Sequence, residues 1–122
     1  MVSAIWAHRG ACDVAPENTL PAFQKAIKMG ADGIELDVRR TTDGVLIVCH
    51  DESLERTSNG LGKLTDYAFS GLRELDFSAG TKYVKEPWYR TSVQIPTLAE
   101  VLEIVQPTDL TLNIELKHPD IP

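Results

Sequence analysis

The stretch Gly33-Ile34-Glu35-Leu36-Asp37-Val38-Arg39-Arg40 limits what this chain can fold into more than any other part of it. Side chains alternate along a strand, so a β-strand here sets Ile34, Leu36 and Val38 on one face and Glu35, Asp37 and Arg39 on the other. The first face must be covered and the second must meet something polar. Glu35 and Asp37 share the second face and repel each other unless one keeps its proton or a cation lies between them. Carboxylate oxygens suit a hard cation such as Mg2+ or Ca2+, and no Cys/His cluster of the zinc type accompanies them. Glu-x-Asp also occurs on solvated strand faces, so its meaning depends on the segments around it.

The stretch before it reads as a β-α unit. VSAIWA, residues 2–7, is apolar enough for a buried first strand and runs into His8-Arg9-Gly10, a pair of functional side chains presented at a strand end before a flexible turn. A surface loop with two polar residues is the plainer reading of that pair. A helix follows, with Thr19 as N-cap, Leu20, Phe23, Ala26 and Ile27 on one face, and Gly30 at its end. Asn18 reads as part of the cap. Glu17 is harder to assign to capping, because Pro16 stiffens its approach and the loop is anchored at the same end as His8. The β-α-β order makes the first two strands parallel.

Val45 to Asp51 is an apolar, β-branched run ending in His50-Asp51, so a second histidine also terminates a strand. The turn Thr42-Asp43-Gly44 before it is too short for a parallel crossover and implies a tight hairpin unless part of 39–44 leaves the sheet. Residues 52–95 lack a strong period. Asn59-Gly60 and Gly62 mark turns, Thr65 to Leu75 has room for one or two helical turns, and Tyr83, Trp88 and Tyr89 fit packing under a loop better than ligand contact. Order returns with a capping box, Thr97 and Glu100, and an apolar stripe of Leu98, Val101, Leu102 and Val105, which Pro107 ends. In TLNIELK, residues 111–117, Leu112, Ile114 and Leu116 face one way and Asn113, Glu115 and Lys117 the other, repeating the pattern of 33–40.

The whole chain sets outer bounds. At 122 residues it is one domain at most, and its net charge of −6 argues against nucleic-acid binding or adhesion to an anionic membrane. No apolar run approaches membrane-spanning length, and Met1 to His8 lacks the regions of a secretory signal, so the expected location is the cytoplasm. Cys12 and Cys49 each lie beside a candidate histidine segment; small, partly buried thiols in a reducing compartment explain them better than reactive thiols do.

The candidates form one chemical set: acids Glu35, Asp37 and Glu115, histidines His8 and His50, and cations Arg9 and Lys117. Three carboxylates can hold Mg2+ or Ca2+, two histidines can divide general base and general acid work, and the cations can neutralise the nonbridging oxygens of an anionic substrate. Those parts describe phosphodiester hydrolysis. Buried ion pairs are the alternative, but seven such residues are costly to bury without purpose.

In order and spacing, HRGACDVAPENTLPAF, GADGIELDVRRTTDG, VCHDESLERTSNG, IPTLAEVL and NIELK resemble the glycerophosphodiester phosphodiesterase family over nearly the whole chain. The resemblance implies a TIM-barrel α/β enzyme that hydrolyses glycerophosphodiesters to an alcohol and glycerol 3-phosphate with a divalent metal. It implies His8 and His50 as catalytic residues, Glu35, Asp37 and Glu115 as metal ligands, Arg9 and Lys117 as phosphate-binding residues, and Glu17 as a further active-site residue. It places 34–38 and 45–49 as successive barrel strands and 52–95 as an insertion after the third. A TIM barrel needs about 250 residues and eight strands. Residues 1–122 therefore correspond to an N-terminal half with the first four β/α units, expected as a homo-oligomer if it folds alone. Two other readings remain: a related phospholipase-like phosphodiesterase, and a non-catalytic fragment that binds phosphate and metal.

Overall fold

The computed structural model describes residues 5–12, 15–78 and 93–117. The fold is α/β. Strand β1 (Trp6–His8) leads to helix α1 (Leu20–Lys28), which returns the chain to strand β2 (Gly33–Arg40). Strand β3 (Leu46–Val48), a 3₁₀ turn at Leu64–Asp66, helices α2 (Phe69–Leu72) and α3 (Leu98–Val105), and strand β4 (Thr111–Leu116) follow.

Helix α1 starts where Thr19 Oγ1 accepts from the Ala22 N–H at 3.4 Å, with Pro21 supplying a preset φ in the first turn. It stops at Gly30, whose φ of 82° lets its N–H reach the Ile27 carbonyl while Ala31 N–H reaches that of Ala26, closing the last turn. The expected capping box of α3 is present in both directions, Glu100 N–H to Thr97 Oγ1 at 3.0 Å and Thr97 N–H to Glu100 Oε1 at 2.8 Å.

Strand β2 is the centre of the sheet. It pairs in parallel with β1, His8 opposite Glu35, and in parallel with β4, Asp37 opposite Glu115. Ile34, Leu36 and Val38 are fully buried against Phe23 and Ala26 of α1 and Val101 and Val105 of α3. Each such side chain stabilises the fold by roughly 1.5–3 kcal/mol. The alternation read from the sequence thus sends one face of β2 into this core and presents Glu35 and Asp37 on the other.

Two expectations are corrected. The segment 45–49 is not a successive parallel barrel strand: β3 runs antiparallel to β2, Val38 opposite Val48 and Arg40 opposite Leu46. The cause is the turn, in which Thr41 N–H bonds the Val45 carbonyl at 3.0 Å and Gly44, at φ 85°, bonds back to Thr41. The parallel strands among the described residues are therefore three, not four. The first strand is also not buried: Ile5 and Trp6 are 61% and 50% exposed, because β1 lies at an edge of the open sheet.

The segment after β3 carries its own core, in which Leu54, Leu64, Leu72 and Phe77 pack on Ile47 and Ile95. The two short helical pieces expected between Thr65 and Leu75 are the Leu64–Asp66 turn and α2. Tyr83, Trp88 and Tyr89 lie outside the described residues. No helix among the described residues is long and apolar enough to cross a membrane.

Gly10, at φ 80°, sits so close to α1 that an added Cβ would lie 2.9 Å from the Ala22 backbone, whereas one on Gly44 would meet open space. Gly10→Ala is expected to cost about 1–3 kcal/mol and Gly44→Ala, which carries only the backbone penalty, measurably less. Urea unfolding of the two variants beside the parent chain checks this.

Candidate active site

The site is built where β1 ends. Arg9 takes a left-handed backbone, φ 58°, and donates its N–H to the Glu35 carbonyl at 2.8 Å; Asn18, at φ 55°, donates its N–H to the Arg9 carbonyl at 2.8 Å. Asparagine tolerates that region and arginine does so less readily, so the two hydrogen bonds hold a conformation the chain would not choose locally. They draw the 15–18 loop across the top of β2. Asn18 Nδ2 then donates to Asp37 Oδ2 at 3.0 Å.

Glu35, Asp37 and Glu115 form the acidic centre, each offering an oxygen within 4.8 Å of the others. Asp37 is completely buried, and its surroundings compensate: Asn18, Arg9 Nε at 3.5 Å and Lys117 Nζ at 3.7 Å. Lys117 Nζ also donates to Glu115 at 2.9 Å. Among the described residues, the side-chain ion pair of Glu35 is with His8 Nε2, at 3.1 Å.

Burial, then the charge of Asp37, pushes the Glu35 carboxyl above its ordinary range. Burial opposes ionisation of Asp37 too, but the Asn18 hydrogen bond, Glu35 and the charges of His50 and Lys117 outweigh it and hold its pKa low. The environment therefore separates the two acids, favouring the ionised form of Asp37 over that of Glu35. Both Glu35 oxygens and Asp37 Oδ1 are buried without a hydrogen bond from the described residues. Three carboxylates, two of them with buried oxygens that take no hydrogen bond from the described residues, fit Mg2+ or Ca2+.

A second network carries His50. Its Nδ1 lies 2.7 Å from Asp51 Oδ1. Arg56 above all, and His50 itself, hold the Asp51 pKa far below the ordinary carboxylate range despite partial burial. An ionised carboxylate only accepts, so the proton is on Nδ1 and Nε2 is the nitrogen left for chemistry. The His50 carbonyl is gripped by Arg39, whose Nε and Nη2 donate at 3.1 and 2.6 Å. Arg56 donates to Asp51 at 2.6 and 3.0 Å and to Glu17 at 2.6 and 2.9 Å, and Glu17 accepts from Arg9 at 3.2 Å.

The structure thus joins His8, Arg9, Glu17, Glu35, Asp37, Glu115 and Lys117 by direct contacts, and links His50 to them through Asp51, Arg56 and Glu17. Four residues join them that the sequence reading left without a site role. Asn18 reads as part of the helix cap, yet Thr19 caps alone and Asn18 braces Asp37. Arg39 shares the ionic face of β2, which was a usable signal. Asp51 adjoins His50, another usable signal. Arg56 lies in the segment without a period, where spacing says nothing.

Cys49 is buried, and desolvation pushes its thiol up to about 12. Its Sγ donates to the Asp51 carbonyl at 3.5 Å. At pH 8 it is therefore a thiol and not a thiolate, and iodoacetamide is expected to leave it unmodified in the folded chain but alkylate it in urea. Peptide mass spectrometry of the two samples measures the contrast.

A mixed α/β sheet thus gathers three carboxylates, His8, Arg9 and Lys117 at one site, with His50 linked to it through Asp51, Arg56 and Glu17. The chain belongs to the glycerophosphoryl diester phosphodiesterase family, whose family model matches residues 8–121. It is 44% identical over 117 residues to a glycerophosphodiester phosphodiesterase of Caldanaerobacter subterraneus, an alignment covering 96% of this chain and 46% of that protein. With the glycerophosphodiester phosphodiesterase of Bacillus altitudinis it is 47% identical over 118 residues, again 96% of this chain and 46% of the relative. Among solved structures, it resembles the glycerophosphodiester phosphodiesterase of Agrobacterium tumefaciens with a TM-score of 0.82 at 40% identity, covering 98% of this chain and 49% of that one. An Oleispira antarctica phosphodiesterase, solved in complex with the product sn-glycerol-3-phosphate, matches with a TM-score of 0.80 at 34% identity, covering 95% and 45%. The chain thus spans about half the length of the relatives it matches.

Proposed function

We propose that the chain carries the catalytic set of a metal-dependent phosphodiesterase that cleaves glycerophosphodiesters to an alcohol and glycerol 3-phosphate. The carrying observation is the convergence of Glu35, Asp37 and Glu115 within 4.8 Å at the strand ends that also bear His8, Arg9 and Lys117. Family membership and the product complex of the Oleispira enzyme support the substrate class. The three strands, extended by further β/α units, fit a TIM-type barrel of which residues 1–122 are the N-terminal half. The expected cytoplasmic location fits an unreactive, buried Cys49.

Glu35, Asp37 and Glu115 would hold Mg2+ or Ca2+, which when bound would supply Lewis-acid polarisation of the phosphoryl group. Arg9 and Lys117 bind the nonbridging oxygens and draw the phosphate against the acids it would otherwise avoid. His50, with its proton held on Nδ1, offers Nε2 for proton transfer, and His8 is the second ring; one takes the nucleophile's proton while the other protonates the leaving alkoxide. Glu17 holds Arg9 in place from the side opposite Asp37.

Release of glycerol 3-phosphate from glycerophosphocholine, with and without chelator, tests the reading. Turnover is expected to require the divalent ion, and Glu35→Gln is expected to lower kcat by at least about a hundredfold, since a charged ligand is lost while the packing stays. Faster cleavage of micellar lysolipid than of the soluble diester would favour the phospholipase-like reading. Binding of glycerol 3-phosphate without turnover would favour a non-catalytic fragment, a reading to which the half-length coverage lends weight.

The flanks of the sheet support self-association of this chain when produced alone. β1 and β4 each pair only with β2 among the described residues, and Ile5, Trp6 and Leu116 stand exposed beside those edges. Light scattering coupled to gel filtration is expected to give a dimer or larger species; a monodisperse monomer would remove the homo-oligomer expectation.

A further inference from the structure

Arg56 is half exposed, sits in the irregular segment, and touches neither the acidic centre nor any apolar core residue through a polar contact, yet all of its guanidinium nitrogens are engaged. Nε and Nη2 grip both oxygens of Asp51, and Nη1 and Nη2 grip both oxygens of Glu17. Two bidentate clamps on one planar group fix the rotation of both carboxylates, which a single point charge cannot do. One of those carboxylates holds Nδ1 of His50, and the other holds Nη1 of Arg9.

We propose that Arg56 is the positioning residue that ties the proton-transferring histidine to the phosphate-binding arginine, so that the orientations of His50 and Arg9 are set together by one side chain of the inserted segment. The proposal rests on the phosphodiesterase reading of the site. It gives the segment after β3 a role in the reaction without any contact to substrate. With Arg56 truncated, Asp51 and Glu17 would lose the cation between them, Asp51 keeping only its His50 contact and Glu17 only its Arg9 contact. Asp51 would then rotate away from Nδ1, and His50 would lose its single tautomer. Glu17 would likewise lose its second anchor, and Arg9 would be held more loosely.

The test compares Arg56→Ala and Arg56→Lys with the parent 122-residue chain. Long-range proton–nitrogen NMR of histidine-labelled protein at pH 8 reads the tautomer, with the His50 signals among the three histidines assigned through His50→Asn. The parent is expected to show Nδ1 protonated. Arg56→Ala is expected to show averaged ring-nitrogen shifts, and Arg56→Lys, with one ammonium in place of two clamps, an intermediate result. In the same samples, kcat for glycerophosphocholine is expected to fall roughly tenfold to a hundredfold in Arg56→Ala, with KM raised through Arg9. Ring shifts identical in parent and both variants would overturn the proposal, whether or not the chain turns over. No turnover in the parent, with the tautomer still lost in Arg56→Ala, would sink the phosphodiesterase reading for this chain and leave the positioning role in place. Arg56 is half exposed, and Arg56→Lys keeps the charge and most of the stem, so a folding failure of the first variant leaves the second to decide.

Discussion

Everything in this structure answers to one constraint: Asp37 is an ionised carboxylate in full burial, two residues from a second acid on the same strand face. An uncompensated charge there would cost several kcal/mol. Its compensation comes from three separate parts of the chain, Arg9 after β1, Asn18 before α1 and Lys117 after β4. Those parts reach it because β2 is flanked by parallel neighbours in register: β1 ends opposite Glu35, just short of Asp37, and β4 runs past Asp37 to Val38. The left-handed turns at Arg9 and Asn18 are the local cost of that arrangement. The sheet's apolar underside makes the arrangement rigid, because Leu36 and Val38 cannot shift without opening the core that α1 and α3 close.

Glu35 receives much less. Its ring partner is the exposed His8, and neither of its oxygens takes a hydrogen bond from the described residues. The contrast between the two acids separates their parts. Asp37 is braced in its ionised form by Asn18, Arg9 and Lys117, whereas burial and the neighbouring Asp37 disfavour ionisation of Glu35.

Much of this was legible because it is periodic or local. The two-faced pattern of 33–40 and 111–117, the cap at Thr19 and the capping box at Thr97 depend on spacing alone, and spacing is what a sequence displays. The direction of β3 was half legible: Thr42-Asp43-Gly44 implied a hairpin unless part of 39–44 left the sheet, and the family resemblance argued for a successive barrel strand. The local chemistry was the better guide, because a turn closed by Thr41 and Gly44 cannot span a crossover. Asn18 and Arg56 were hidden for different reasons. Asn18 sits where a cap is a sufficient explanation, and only the third dimension shows Thr19 doing that work alone. Arg56 acts across 39 residues to Glu17 from a segment whose fold depends on its own small core, so no pattern along the chain points to it.

The antiparallel hairpin also explains how two histidines from strands of opposite direction meet one acidic centre. β1 pairs with the lower part of β2 and ends opposite Glu35; β4 occupies the far side of β2 up to Val38. Val38 pairs with Val48 as well, so β3 must lie on the β1 side, directly beyond the end of β1. The chain coming down β3 continues past Val48, and Cys49 N–H bonds the Asp37 carbonyl. His8 therefore arrives at the level of Glu35 from below, and His50 arrives near Asp37 from above. A parallel strand in that position would carry His50 away from the carboxylates, beyond the end of the sheet. The reversal of β3 thus returns the chain at His50 toward the level of Asp37.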